Sequence, residues 1–313
     1  MLKIVFFGTP AFSRTVLEAL YYSNLYEIVG VVTQPDKEVG RKKIIEYSEV
    51  KKFAIEKNIK VFQPVKIRKE YQDIIDLKPD LIVTAAYGQI IGEDLLKAPK
   101  YQSINVHASL LPLYRGGAPI QRSIMNGDKK TGITIMYMEK GMDTGDILSQ
   151  RELEIDSNDT STTLFEKLAV LGARLLLDTI PDLVKGNITP IKQEGNITYA
   201  YNIEREEEKL DFNQDAYTLY NKVRALLDEP AAYFNFKGFE EEQYSIKVYE
   251  AEPYDIEEHH EIGDIINITK KDFSICCGNN TALKILKLKP NGKNIQSAKD
   301  FINGGLKKYM KGE

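Results

Sequence analysis

The chain has 313 residues, 42% hydrophobic and 28% charged, with a formal net charge of −4. That length suggests two domains with ample core, and the near-neutral charge argues against a general nucleic-acid binder. The only cysteines, Cys276 and Cys277, are adjacent and give neither a CxxC pair nor a disulfide framework, which fits a reducing compartment. Met1 leads straight into a strand pattern and no apolar run approaches the roughly 18 residues of a membrane span, so the expectation is a cytoplasmic protein off the membrane.

Leu2 to Phe7 is an apolar run ending at Gly8 and reads as a buried parallel strand. Thr9 is the expected N-cap, with Pro10 at N1, of a helix to about Tyr22. Ile28 to Val32 completes a βαβ unit, which predicts a doubly wound, Rossmann-like, mostly parallel sheet. Gly8-Thr-Pro is not GxGxxG, so the dinucleotide fingerprint is missing. Residues 34–47 read as a polar loop, Ser48 as the cap of a helix through Glu56, and Val61-Phe62 as a brief strand. Leu81 to Ala86 is a longer strand, and Tyr87-Gly88-Gln89 follows at its carboxyl end, where open α/β sheets bind ligands.

Residues 118–126 read as a helix. Ile133 to Met138 is a strand, followed by a glycine-punctuated loop carrying Asp143, and residues 147–153 return antiparallel. Thr160 opens a long helix with Leu164, Leu168, Leu171, Leu175 and Leu176 at helical spacing. The polar, irregular stretch 187–206 reads as a linker between domains 1–186 and 207–313. Beyond it, a helix from Asp215 to Leu227 precedes short strands near 232–237, 244–250, 262–269, 273–277 and 281–288, which predicts a smaller, OB-like β-barrel. Charge is uneven there. Glu204 to Asp264 holds 18 acidic and 6 basic residues, whereas Lys284 to Glu313 holds 8 basic and 2 acidic. His259-His260 lie among glutamates and read as a solvated loop rather than a metal site.

The most informative stretch is 103–119. Ile104 and Val106 would face one side of a strand, Asn105 and His107 the other. Pro112, Gly116, Gly117 and Pro119 then break regular structure. An amide donor beside an imidazole at a strand exit suits acyl transfer, because Asn can hold a developing oxyanion and His can move protons near neutral pH.

Asn105-Val-His-Ala-Ser-Leu-Leu-Pro followed by Tyr114-Arg-Gly-Gly-Ala-Pro closely resembles the signature of formyltransferases that use 10-formyltetrahydrofolate. Gly8-Thr-Pro, Thr33-Gln-Pro-Asp, Ala86-Tyr-Gly, Pro119-Ile-Gln-Arg and Asp143-Thr-Gly-Asp extend the match over most of the chain. The resemblance implies an enzyme that formylates the α-amino group of initiator methionyl-tRNA, with 10-formyltetrahydrofolate as co-substrate, no tightly bound cofactor or metal, and a monomeric state. It implies a catalytic trio of Asn105, His107 and Asp143. It implies folate contacts from Ser109, Leu110, Leu111 and Pro112, and from the Tyr87, Gly88, Gln89, Ile90 and Ile91 turn. For tRNA it implies Arg41, with Lys42 and Lys43 beside it, and docking by the C-terminal barrel and its basic tail. Taken alone, Leu110 and Leu111 read better as loop anchors in a core than as folate contacts.

Two departures stand out. Glu46-Tyr-Ser-Glu replaces the family's proline-containing sequence, and Glu229-Pro230-Ala-Ala replaces its Trp-Pro. Two alternatives remain open: a sugar-nucleotide N-formyltransferase sharing the same trio, and a folate- or RNA-binding protein without catalysis.

Overall fold

The computed structural model describes residues 1–39, 43–227, 230–237 and 243–306. These fall into two compact units. The first comprises Met1–Pro119, Lys130–Glu154 and Leu164–Tyr201; the second comprises Ile120–Lys129, Ile155–Thr163 and the chain from Asn202 onward. Residues 187–201 thus belong with the first unit.

The first unit is built on β1 (Leu2–Gly8), β2 (Tyr26–Val32), β3 (Lys37–Val39), β4 (Ile44–Glu46), β5 (Val61–Phe62), β6 (Leu81–Ala85), β7 (Ser103–His107), β8 (Lys130–Tyr137) and β9 (Ile147–Glu154). Seven of these form one sheet in the order β5-β2-β1-β6-β7-β8-β9, while β3 and β4 pair as a separate ribbon. The strands from β5 to β7 in that order run parallel, β8 runs antiparallel to β7, and β9 antiparallel to β8. The chain winds outward from β1 to β5 and then returns to the other side of β1. The switch point therefore lies between β1 and β6, whose carboxyl ends, Gly8 and Ala85, are register partners.

Every residue of β6 and the last five of β1 are buried, the continuous apolar run expected of a parallel strand covered on both faces. Helix α1 (Ala11–Tyr22) covers the sheet with Phe12, Val16, Leu17 and Leu20. Its cap is Pro10, not Thr9. The Thr9 hydroxyl donates instead to the Tyr87 carbonyl at 3.0 Å, a tertiary bond that the local cap signal cannot reveal. Helix α2 (Glu49–Glu56) is capped as expected, the Ser48 hydroxyl accepting from the Lys51 amide. The polar stretch 34–47 is not only loop, since it holds the β3–β4 ribbon, with Ile44 and Ile45 exposed. Short helices α3 (Gln72–Ile75) and α4 (Glu93–Lys97) precede β6 and β7, and α5 (Pro119–Met125) precedes β8. Helix α6 (Ser161–Lys185) buries Leu164, Leu168, Leu175 and Leu176. A Cβ at its Gly172 would lie 2.8 Å from Val106 Cγ1, so the helix seats against the back of β7 only because that residue has no side chain.

The second unit carries α7 (Ala216–Ala225) on an antiparallel sheet of β10 (Tyr233–Lys237), β11 (Gln243–Asp255), β12 (Ile265–Ile266), β13 (Phe273–Cys277), β14 (Thr281–Pro290) and β15 (Gln296–Ser297). A short helix α8 (Ala298–Phe301) follows. The long β11 shifts register twice against β14, near Val248 and Glu250, and such bulges let one strand coil a small sheet into a half-barrel. The strand expected over 262–269 shortens to two residues, because Gly263 is left-handed and Asp264 turns back onto Glu261. Leu219, Val223, Phe234, Ile246, Phe273, Ile285 and Phe301 fill the core, with Met125 packed against it. Both cysteines are free and buried, and burial pushes the Cys277 thiol up to about 12, which leaves it an inert core residue. Among the described residues, no helix is long and apolar enough to cross a membrane, and no group of three or more His, Cys, Asp or Glu could hold a metal ion.

Candidate active site

The site is organised by β7. Ile104 and Val106 are fully or almost fully buried, while Asn105, on the other face with His107, is only partly covered. Parallel pairing sets Asn105 beside Thr84 of β6, and antiparallel pairing sets His107 beside Thr134 of β8. The Thr84 hydroxyl donates to Asn105 Oδ1 at 2.7 Å. With its oxygen taken in this way, the amide keeps its NH2 group to donate.

His107 is 5% exposed and each ring nitrogen faces an acceptor. Nε2 lies 3.0 Å from the Tyr114 carbonyl, and Nδ1 lies 3.6 Å from Asp143 Oδ2. The same Asp143 oxygen accepts the Gly116 amide at 2.8 Å. Gly116 has φ +127°, and a Cβ there would stand 2.6 Å from the Ala200 carbonyl oxygen, so glycine is required by both conformation and space. Asp143 is itself left-handed, with φ 49°. A proton on Nε2 goes to the Tyr114 carbonyl, which leaves Nδ1 as the nitrogen that can exchange a proton beside Asp143. The three residues implied by the sequence therefore meet in part: His107 and Asp143 face each other directly, and Asn105 shares the strand face of His107.

The loop after β7 is stapled to the sheet by one hydroxyl. Thr134 Oγ1 donates to the Ser109 carbonyl at 2.7 Å and accepts from the Leu111 amide at 3.1 Å and from Gln150 Nε2 at 2.9 Å. The Ser109 hydroxyl turns inward to the Leu113 carbonyl. Leu111 is buried with Met136 and Ile147, as a loop anchor would be, while Leu110 and Pro112 are partly exposed. In the turn after β6, Tyr87 and Ile91 belong to the core, and the Tyr87 ring meets Phe7 edge-on at 5.2 Å. Burial pushes the Tyr87 hydroxyl above its usual range. Its carbonyl accepts from Thr9 and from Gln34 Nε2 at 3.0 Å. Gly88 supplies φ +92°, and Gln89 ties the turn to the Ile67 amide and the Pro64 carbonyl. Ile90 is 65% exposed. Beside it opens a cleft of about 450 Å³ lined by Gln34, Val65, Lys66, Arg68, Lys69 and Gln89.

Of the basic trio implied for tRNA, Arg41 and Lys42 lie outside the described residues. Lys43 is exposed with φ 50°, its ammonium 3.4 Å from Glu38. The sequence reading missed two polar residues at the site. Arg115 is 6% exposed and donates from Nε to Gln193 Oε1 at 2.9 Å. Gln193 in turn reaches the loop that carries Asp143. Arg115 had a visible signal, since it lies inside the Tyr114-Arg-Gly-Gly-Ala-Pro motif, whereas Gln193 had none.

A mostly parallel sheet with an Asn and a His at one strand end, and an Asp brought in from a glycine-rich loop, is an arrangement suited to acyl transfer on an α/β scaffold. The chain belongs to the formyl transferase family. The family model for formyl transferase matches residues 2–180, and that for the formyl transferase C-terminal domain matches residues 202–306. The chain is 48% identical over 307 residues to the methionyl-tRNA formyltransferase of Bacillus cereus strain B4264, covering 97% of this chain and 96% of that one. It is 47% identical over 314 residues to the methionyl-tRNA formyltransferase of Ligilactobacillus salivarius, covering 98% and 97%. Among solved structures, the fold is similar to that of an N-formyltransferase from Helicobacter canadensis in complex with folinic acid and dTDP-3-aminofucose. That match has a TM-score of 0.65 at 21% identity and covers 91% of this chain and 99% of that one.

Proposed function

We infer that this chain transfers the formyl group of 10-formyltetrahydrofolate to the free α-amino group of initiator methionyl-tRNA, giving N-formylmethionyl-tRNA for translation initiation. The observation that carries this reading is the 48% identity, over nearly the whole length, to a methionyl-tRNA formyltransferase. The likeness to the amino-sugar enzyme, at 21% identity, speaks for the fold alone.

In this reading the amine attacks the formyl carbon, the new C–N bond forms and the carbonyl oxygen becomes an oxyanion. Asn105 donates its amide N–H to that oxygen, where charge develops only in the transition state. As the tetrahedral adduct collapses, the bond to the folate nitrogen breaks, and that nitrogen takes up the proton the amine gives up. His107 Nδ1, facing Asp143, is the group placed to carry that proton. An α-amino group titrates near 8, so part of the nucleophile is already neutral. Positioning and oxyanion stabilisation then account for most of the barrier lowering. The loop 109–112 and the turn 87–91 would hold the folate, and Lys66, Arg68 and Lys69 in the adjoining cleft suit the carboxylates at its glutamate end. Arg41, Lys42 and Lys43 would engage the tRNA acceptor end, and the second unit with its basic C-terminal segment would dock the tRNA backbone. The enzyme would act in the cytoplasm as a monomer.

The test is to incubate the protein with 10-formyltetrahydrofolate and, separately, methionyl-tRNA, free methionine and an amino-sugar nucleotide. Formylated product from methionyl-tRNA alone is expected; product from the amino sugar alone would overturn the reading.

A further inference from the structure

Residues 187–201 carry no periodicity, yet they supply one side of the loop on which Asp143 sits. Gln193 Nε2 donates to the backbone carbonyl of Asp143 at 2.8 Å and to that of Gly145 at 2.7 Å. Its Oε1 accepts Arg115 Nε at 2.9 Å. Both amide hydrogens and the amide oxygen are thus engaged. The arginine decides the orientation, because a guanidinium only donates and so calls for the oxygen, which turns the nitrogen to the two carbonyls.

The loop needs such a hold. Asp143 is left-handed, a conformation that Asp adopts more readily than most residues but still at a cost that bonds around it offset. On the other side, a Cβ at Gly145 would stand 1.9 Å from the Tyr137 carbonyl oxygen, so the turn is pressed against the end of β8. Gln193 holds it as well, through the Asp143 and Gly145 carbonyls. The partners of Gln193 are themselves fixed. The Arg115 amide donates to the Thr198 carbonyl at 2.9 Å, and the Ala200 amide returns to the Arg115 carbonyl at 2.7 Å. What this frame presents is the Asp143 carboxylate, 3.6 Å from His107 Nδ1. That distance lies just outside hydrogen-bond range, so a displacement of about half an ångström inward makes the bond and one outward takes it out of reach.

We propose that Gln193 is a positioning residue for formyl transfer, which sets the Asp143 carboxylate against His107 by clamping the carbonyls of Asp143 and Gly145. The proposal rests on the reading of Asn105, His107 and Asp143 as the catalytic group. Gln193 touches no reacting atom and acts only through Asp143.

Two variants separate this role from a merely structural one. Gln193→Glu keeps the volume and strengthens the partner offered to Arg115, but turns an acceptor on the two carbonyls. Gln193→Met keeps the volume and removes every bond. Both are expected to lower kcat on the order of 10-fold or more, with KM for methionyl-tRNA and folate affinity little changed and the melting temperature lowered by a few degrees, and the Glu variant is expected to fare no better than the Met variant. The deciding readout is the double-mutant cycle. On an Asp143→Asn background, Gln193→Glu should cost less than about twofold more, because the two changes act on one group. Wild-type kcat in Gln193→Glu would overturn the proposal. So would a loss that persists in full on the Asp143→Asn background, or a fall in folate affinity and melting temperature that tracks the fall in kcat. Failure of the wild-type protein to formylate methionyl-tRNA would instead strike the functional reading beneath it.

Discussion

The strand edge at His107 and the ribbon formed by β3 and β4 use polar residues in opposite ways. At the edge, nearly every polar group is tied to the backbone of another segment. His107 is tied to Tyr114, Asp143 to Gly116, and Thr134 to Ser109 and Leu111. In the ribbon, Lys43 and Glu38 make an exposed pair, and Ile44 and Ile45 face solvent. An exposed ion pair of this kind is worth about 0–1 kcal/mol, too little to hold a geometry. The difference matches the proposed division of roles, with the chemistry assigned to the edge and tRNA recognition to the ribbon side.

The largest effect should come from breaking the fixed edge. His107→Ala is expected to lower kcat on the order of 10²–10³ while leaving folate affinity nearly intact, because the proton route is lost and the binding loops are not. Steady-state formylation kinetics and calorimetric folate titration check both halves. A smaller effect, of another kind, is expected from the ribbon side. Arg41→Ala should lower kcat/KM for methionyl-tRNA roughly 10-fold, the scale of one charge-assisted hydrogen bond, and Arg41→Lys should lower it less, with folate affinity unchanged in both. A joint loss of folate affinity would erase the contrast between the two regions. Thr84→Val tests how finely the edge is set. It keeps the shape of the side chain but strips Asn105 Oδ1 of its donor, and kcat should fall about fivefold, with a melting temperature lowered by a few degrees.

The smallest effect lies in the second unit. Arg122 holds Glu207 through both guanidinium ends and keeps its carboxyl below the usual carboxylate range. A depressed carboxyl contributes stability that is present above its unfolded value of about 4.5 and is lost as the pH falls through the lower folded value. Because Glu207 is partly exposed, solvent screens the pair and the effect is modest. Glu207→Gln should lower the melting temperature slightly at pH 7, and the difference from wild type should shrink as the pH is taken below about 4.5.

Much of this architecture was legible in the sequence because its signals are local. The apolar runs of β1 and β6 and the Ser48 cap of α2 each lie within a few residues of the structure they specify. The alternation in β7 likewise placed Asn105 and His107 on one face. What escaped depends on distant partners. Thr9 looked like a cap until the Tyr87 carbonyl was found to take its hydroxyl. Thr84 sits in an apolar run and reads as one more strand residue, although it orients Asn105 from 21 positions away. Gln193 sits 50 positions from Asp143 in a stretch that reads as linker. The β3–β4 ribbon was hidden by its polar composition, since short strands without a buried face leave no alternation to detect.

The central claim is that the Asn105 and His107 face of β7 carries out formyl transfer by stabilising an oxyanion. Its most direct test is the single-turnover rate of formyl transfer to methionyl-tRNA in Asn105→Ala, at saturating 10-formyltetrahydrofolate and excess enzyme, so that binding and product release drop out. The account predicts a rate lowered on the order of 10²–10³, the scale of one lost oxyanion donor, with folate affinity unchanged. A rate within about twofold of wild type would contradict it.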